Sequence, residues 1–392
     1  MTTLHLSRAL DRIEASPTTA MTDRATALRA GGRDVIALSV GEPDFATPGH
    51  VIGAAKRALD AGETRYTPVA GTPELREAAA EHFARDLGIT ADPAHVIATA
   101  GGKQAIFEAF AATLDAGDEV IVPCPWWVSY PQMVRFCGGR VVRLETHARD
   151  GFRFDPRDLL PLVSSRTRWL VLNSPGNPTG AVYPAAMLEG VADVLRAHPG
   201  ILVLSDDIYA PLIYTGQPHA TLAAIAPDLA DRVLTVSGVS KSHAMTGFRI
   251  GVATGPAWLV QAMAQLQSNS SGNACAVSQA AAVAAFAGPQ DFLADWRVVL
   301  RRRRDLVTGR LNAIPGLSCR PPEGAFYALV DATPIMDRFA GDDGNLALHL
   351  LENGVAVVAA SAFGGRDGFR LSFAADEATL AEALDRIEGA LA

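Results

Sequence analysis

The feature of this sequence most suited to covalent chemistry is a lysine set among small residues. It lies in the run Ser237-Gly238-Val239-Ser240-Lys241-Ser242-His243-Ala244-Met245-Thr246-Gly247-Phe248-Arg249-Ile250-Gly251. A lysine amine can form a Schiff base with an aldehyde cofactor. Small neighbours let a flat ring approach the backbone. Eight positions on, Arg249 stands between Gly247 and Gly251, and an arginine can clamp a phosphate with two parallel hydrogen bonds. A surface lysine beside a structural arginine is the plain alternative, and the fifteen-residue arrangement weighs against it.

Further candidates lie at the ends of apolar runs. Asn177 sits in Asn173-Ser174-Pro175-Gly176-Asn177-Pro178-Thr179-Gly180, which also reads as a turn. Asp206 and Tyr209, three apart in Ser205-Asp206-Asp207-Ile208-Tyr209, close another run. An aspartate there is often only a helix cap, and Asp207 is read as structural. Thr99-Ala100-Gly101-Gly102-Lys103-Gln104 reads as a strand-to-helix turn whose amides suit an anion. Trp126-Trp127 offers an aromatic face for a flat ring, with core packing as the alternative. Arg370, alone in the apolar run Phe369-Arg370-Leu371-Ser372-Phe373, needs an anion if buried. Glu42 and Asp44, in Gly41-Glu42-Pro43-Asp44-Phe45, read as turn formers, and Tyr66-Thr67-Pro68 as a loop.

These residues need a scaffold that aligns strand ends, and the sequence predicts one. Short strands are expected at 35–38, 96–99, 119–123, 169–172, 201–205 and 233–236. Helices are expected at 48–61, 73–87 and 103–114, two of them with Pro near the first turn. Apolar runs separated by helices indicate an α/β core with a mostly parallel central sheet. After about residue 287 the pattern changes. A long charged helix over 292–311 precedes strands at 325–330, 355–358 and 369–373, with helices at 345–353 and 377–391, as in a smaller α+β domain. The chain has 392 residues, more than one core usually organises. The expected division is a large domain over 49–287 and a discontinuous small domain formed by 1–48 and 288–392.

A formal net charge of −8 disfavours a general nucleic-acid binder. The basic run Arg301-Arg302-Arg303-Arg304 reads as a solvated or salt-bridged helix face. Four widely spaced cysteines form no metal-ligand pattern and fit a reduced, cytoplasmic compartment. No apolar run is long enough to span a membrane.

The lysine run resembles the attachment signature of class I aminotransferases, pyridoxal 5′-phosphate (PLP) enzymes of fold type I. The resemblance extends from about Ser16 to Ala392 and is greatest to the bacterial aspartate, aromatic and prephenate branch. It implies that Lys241 binds PLP and serves as general base and acid, with ping-pong transfer between an amino acid and a 2-oxo acid. It places Asp206 at the pyridine nitrogen, Tyr209 and Asn177 at the ring hydroxyl, and Trp127 on the ring face. Gly101, Gly102, Lys103 and Arg249 would hold the phosphate, helped by Tyr66 from the neighbour in a homodimer. Arg370, Asn177, Gly41 and Trp127 would bind substrate.

The sequence departs from those relatives in four places. Gly238 stands where a phosphate-binding hydroxyl is common, with Ser237 or Ser240 as substitutes. His243 replaces an aromatic residue, and Ala359-Ala360 replaces Pro-Gly. Glu14, in the segment expected to fold over the substrate, opposes an acidic substrate, whereas Lys103 favours one. A PLP-dependent lyase on the same scaffold stays open as an alternative. A PLP-binding sensor is the remote one.

Overall fold

The structure, a computed structural model, describes residues 6–216 and 218–392. A short strand, β1 (Ile36–Ala37), precedes the main sheet. That sheet contains β2 (Val96–Thr99), β3 (Glu119–Cys124), β4 (Arg140–Glu145), β5 (Thr167–Asn173), β6 (Leu202–Asp206), β7 (Val233–Ser237) and β8 (Gly251–Thr254). Its order is β2-β8-β7-β6-β5-β3-β4. Neighbours from β7 to β4 are parallel, and β8 runs antiparallel to both β7 and β2. The expected strands are present with ends shifted by a residue or two. β4 and β8 were not anticipated, because partly exposed Arg140–Glu145 and the four-residue GVAT lack a long apolar run.

Alternation along these strands builds two cores. Val203 and Val233 face one helical layer with Phe83 and Phe286, while Leu202, Leu204 and Val236 face the other with Phe110. The helices are α1 (Pro17–Ala30), α2 (Gly49–Asp60), α3 (Pro73–Leu87), α4 (Gly102–Thr113), α5 (Ser129–Phe136), α6 (Ala185–Ala197), α7 (Leu222–Ile225), α8 (Ala257–Ser268) and α9 (Ala276–Ala287). Their ends follow local chemistry. Thr72 accepts from the Leu75 amide at the start of α3, with Pro73 in the first turn, and Gly88 closes it at φ 69°.

A third core surrounds a smaller sheet, with α10 (Phe292–Ala313), α11 (Asp343–Glu352) and α12 (Glu377–Leu391). Its strands are β9 (Ser318–Cys319), β10 (Tyr327–Asp331), β12 (Val358–Ala359) and β13 (Gly368–Ser372), all antiparallel, in the order β12-β13-β10-β9. The single strand expected over 355–358 is in fact two. β11 (Val355–Ala356) pairs with β1, and β12 pairs with β13. The chain changes sheets at Val357, which breaks the run.

The carboxyl ends of the parallel strands carry the polar residues. Asn173 lies opposite Asp206, and Asp206 opposite Val236. That edge is where open α/β sheets bind ligands. No helix among the described residues is long and apolar enough to cross a membrane.

Candidate active site

Lys241 lies in the loop after β7, and its Nζ donates to the Gly41 carbonyl at 2.6 Å. Burial pushes the amine down to about 8. Gly41, Gly102, Lys103, Trp127, Asn177, Asp206, Tyr209, Arg249 and Arg370 line one cleft with Lys241. These residues span more than 320 positions of the chain, so strand order assembles the site.

Asp206 ends β6, is 6% exposed, and accepts from the Tyr130 hydroxyl at 2.5 Å. Burial lifts its carboxyl to about 6, although the Tyr130 bond favours the ionised form. Tyr209 pairs with the Tyr327 hydroxyl at 2.8 Å, and burial holds its phenol well above the usual range. Both phenols therefore keep their protons at neutral pH.

Arg370, in β13, is 2% exposed. It donates to Asn177 Oδ1 at 3.1 Å and to the Ser39 carbonyl at 2.5 Å. Its guanidinium lies 4.5 Å from the Tyr327 ring centre and 4.8 Å from that of Phe363. Its Nε has no partner, and no carboxylate of the described residues pairs with it. A buried cation in this state calls for an anion from outside the chain. The Asn177 backbone N–H donates to Asn173 Oδ1 at 3.0 Å, and the Asn173 side chain in turn donates to the Asp206 carbonyl.

At the other end, Arg249 adopts φ 52° and donates to the carbonyls of Thr246 and Ala100 at 2.8 and 3.3 Å. Gly101, at φ 92°, leads into α4 beside it. A side chain at Gly101 would collide with that guanidinium, and one at Gly251 with the Gly101–Gly102 backbone. Glycines at these positions allow the loops to meet at the positive end of α4. Lys103 Nζ stands 5.0 Å from the Trp127 ring centre, and burial and nearby Arg249 lower its pKa.

Tyr66 is not in the cleft. It is 96% exposed and lines a separate surface depression. Several smaller expectations need correction. Asp44 is more than a turn former, because it pairs through both oxygens with buried Arg303 at 2.7 and 2.8 Å. Glu42 likewise accepts from Thr246. Ser237 cannot stand in for a hydroxyl at Gly238, because its Oγ bonds His82 on the far face of the sheet, whereas Ser240 lines the cleft. Neither His243 nor Glu14 lines the cleft, but Ser16 and Thr18 do. Tyr130 and Tyr327 were missed as site residues. Tyr130 follows Trp127 by three positions, which was a usable signal. Tyr327 is one aromatic in an apolar strand and gave none.

The sequence profile of the family "Aminotransferase class I and II" matches residues 33–387. The aspartate/prephenate aminotransferase of Cereibacter sphaeroides is 46% identical over 390 residues, covering 98% of each chain. The crystal structure of the aspartate aminotransferase from Rhizobium meliloti superposes with a TM-score of 0.95 at 44% identity, covering 99% of both chains. The aspartate aminotransferase of Thermus thermophilus, solved with maleate, gives 0.94 at 45% identity over 99% of this chain and 100% of that one.

Proposed function

The chain belongs to the class I and II aminotransferases and is a PLP-dependent transaminase; from that premise we propose that its amino donors are the acidic amino acids aspartate and glutamate. The observation that carries this reading is a cation in the cleft beyond Lys241, Arg249 and Arg370. Lys103 lines it in addition to Arg370, whereas Glu14 does not. One cation suits the α-carboxylate and the other a distal carboxylate. The names of the relatives above, and the maleate bound by one of them, support the same reading. Aromatic substrates are the second reading, favoured by the apolar wall that Ile106 and Trp127 give the cleft.

The residues present fit PLP. A guanidinium meets a loop whose glycine leaves no room for a side chain, a carboxylate lies buried, and a depressed-pKa amine faces the same space. Bound PLP supplies an aldehyde for the amine and a ring that accepts electrons when the Cα proton leaves. Arg249 and the backbone amides of Gly101, Gly102 and Lys103 at the start of α4 would hold the phosphate end, which leaves the Lys103 amine for substrate. Asp206 would hold the ring nitrogen and keep a proton there. Tyr209 and Asn177 would donate toward the ring hydroxyl, and Trp127 would cover a ring face. Arg370 and Asn177, with the Gly41 backbone, orient the α-carboxylate. Lys241 Nζ takes the proton from the substrate Cα and returns it later as an acid.

Exposed Tyr66 supports a homodimer in which this tyrosine completes the neighbour's site. Four free cysteines support a cytoplasmic location. Residues 49–287 serve as the PLP-binding domain, and 1–48 with 288–392 as the small domain, with residues 1–5 and 217 lying outside the described residues.

The test is an absorbance scan of the PLP-loaded protein with single amino acids and no oxo acid. Aspartate and glutamate should convert the pyridoxal band to the pyridoxamine band. Conversion by aromatic or neutral donors alone would overturn the acidic assignment. A persistent pyridoxal band with release of ammonia would point to a lyase.

A further inference from the structure

Tyr327 joins the two ends of the cleft. It opens β10, two residues before Leu329, which faces Arg370 across the strand pair. Side chains two apart on a strand share a face, so the Tyr327 ring lies beside the guanidinium, whose Cζ is 4.5 Å from the ring centre. The residue is 1% exposed and borders the cleft. Its hydroxyl abuts Gly41, where a side chain would collide with it, and the Gly41 carbonyl holds the Lys241 amine. The same hydroxyl stands 2.8 Å from that of Tyr209. One phenol thus touches the residues assigned to the lysine, the α-carboxylate and the ring hydroxyl.

Only one proton can lie between the two hydroxyls, and its owner decides what Tyr209 can do. If Tyr209 donated, its proton would point at Tyr327 and be lost to the cofactor. If Tyr327 donates, the Tyr209 proton is left for another acceptor. The surroundings favour the second arrangement, because the more acidic phenol is the better donor. Burial raises both phenols. The Arg370 charge is the main influence against that rise at Tyr327, whereas at Tyr209 it is outweighed by the Asp206 carboxylate, which adds to the rise.

Resting on the reading that Tyr209 donates toward the ring hydroxyl, we propose that Tyr327 is a positioning residue for transamination, whose hydroxyl donates to Tyr209 and so turns the Tyr209 proton toward the cofactor. Successive hydrogen bonds polarise one another, so Tyr209 also becomes the stronger donor. The Tyr327 ring, held edge-on to Tyr209 with centres 5.8 Å apart at 84°, fixes the two oxygens at bonding distance. Its face meanwhile packs against Arg370. The group that orients the α-carboxylate and the group that serves the ring hydroxyl are thereby held by one side chain.

The readout is the pH titration of the visible absorbance of the PLP-loaded protein, without substrate. Once the proton leaves the Lys241 nitrogen, the ring oxygen carries its charge alone. A donor to that oxygen therefore lowers the pH of the transition, and a weaker donor raises it. Tyr327→Phe keeps the ring beside Arg370 and removes the hydroxyl. Its transition should move up by about 0.3–0.6 pH unit, the share of a charge-assisted bond that a second bond in series supplies. Tyr209→Phe, which removes the donor itself, should move the transition up by about one to two pH units. Adding Tyr327→Phe to Tyr209→Phe should change nothing further. Thermal melting confirms that each variant is folded, and PLP titration that it is loaded. An unmoved transition in Tyr327→Phe would overturn the proposal, and so would a lowered one, which would make Tyr209 the donor of the pair. An upward move of the same size in the Tyr209→Phe background would also overturn it, since Tyr327 would then act by another route. An unmoved transition in Tyr209→Phe alone would instead overturn the reading of Tyr209, and the proposal with it.

Discussion

Arg249 and Arg370 present the same group to one cleft from opposite ends, in contrasting surroundings. Arg249 is exposed, held by backbone carbonyls, and positioned by its own φ of 52° against a glycine loop. Arg370 is buried between two aromatic rings and retains an unpartnered Nε. Water can solvate the first cation when the site is empty, so its effect on an anion is moderate. It solvates the second poorly, so a carboxylate entering there meets a strongly preorganised donor. The first arrangement suits a group that stays, and the second a group that must be recognised at each turnover.

The largest perturbation removes the amine that both ends serve. Lys241→Ala should lower the half-reaction by at least about 10²–10⁴-fold, the usual worth of a positioned acid or base. Stopped-flow absorbance with aspartate would measure it, and a smaller loss would place the base elsewhere.

Arg370→Leu comes next. Removing one partner of a buried charged contact costs about 2–5 kcal/mol, so kcat/KM should fall about 30- to 4,000-fold while PLP affinity is retained. Steady-state kinetics and PLP titration separate these effects, and a loss of PLP binding would contradict the assignment of the two ends. Arg249→Ala should do the reverse. PLP affinity should drop about ten- to a hundredfold, as for lost charge-assisted bonds, and excess PLP should restore turnover. Failure of that rescue would mean that Arg249 also shapes the reacting geometry.

Tyr130→Phe should have the smallest effect, a few-fold loss for one hydrogen bond of about 1 kcal/mol. Its signature is the pH profile. The Tyr130 bond favours ionised Asp206, and burial already lifts that carboxyl to about 6. Without the bond the pKa rises further. The protonated, inactive form then persists to higher pH, and the acid limb of the rate profile moves up. An unmoved limb would show that Asp206 does not control it.

The two ends also differ in how legible they were. Arg249 was readable from local spacing, because a lysine, small residues and an arginine between glycines lie within one loop. Arg370 was readable as a lone charge in an apolar strand, but its surroundings were not. Tyr327 reaches it from β10, the Ser39 carbonyl from the segment after β1, and Asn177 from the loop after β5. Asp44 was read as a turn former because its partner, Arg303, lies 259 positions away. The expected strands were found, but the antiparallel β8 was not anticipated, since four apolar or small residues carry no directional signal.

The sequence by itself determined the fold class and the residue types of the chemistry. Apolar runs of strand length, capped helices and polar residues at run ends are local properties, imposed by backbone geometry and by burial on both faces of a sheet. The tertiary structure alone decided which polar groups meet. The Tyr130–Asp206 and Tyr209–Tyr327 bonds join residues 76 and 118 positions apart. Hydrogen bonds act over about 3 Å, so their pairing depends on strand order and packing rather than on spacing along the chain.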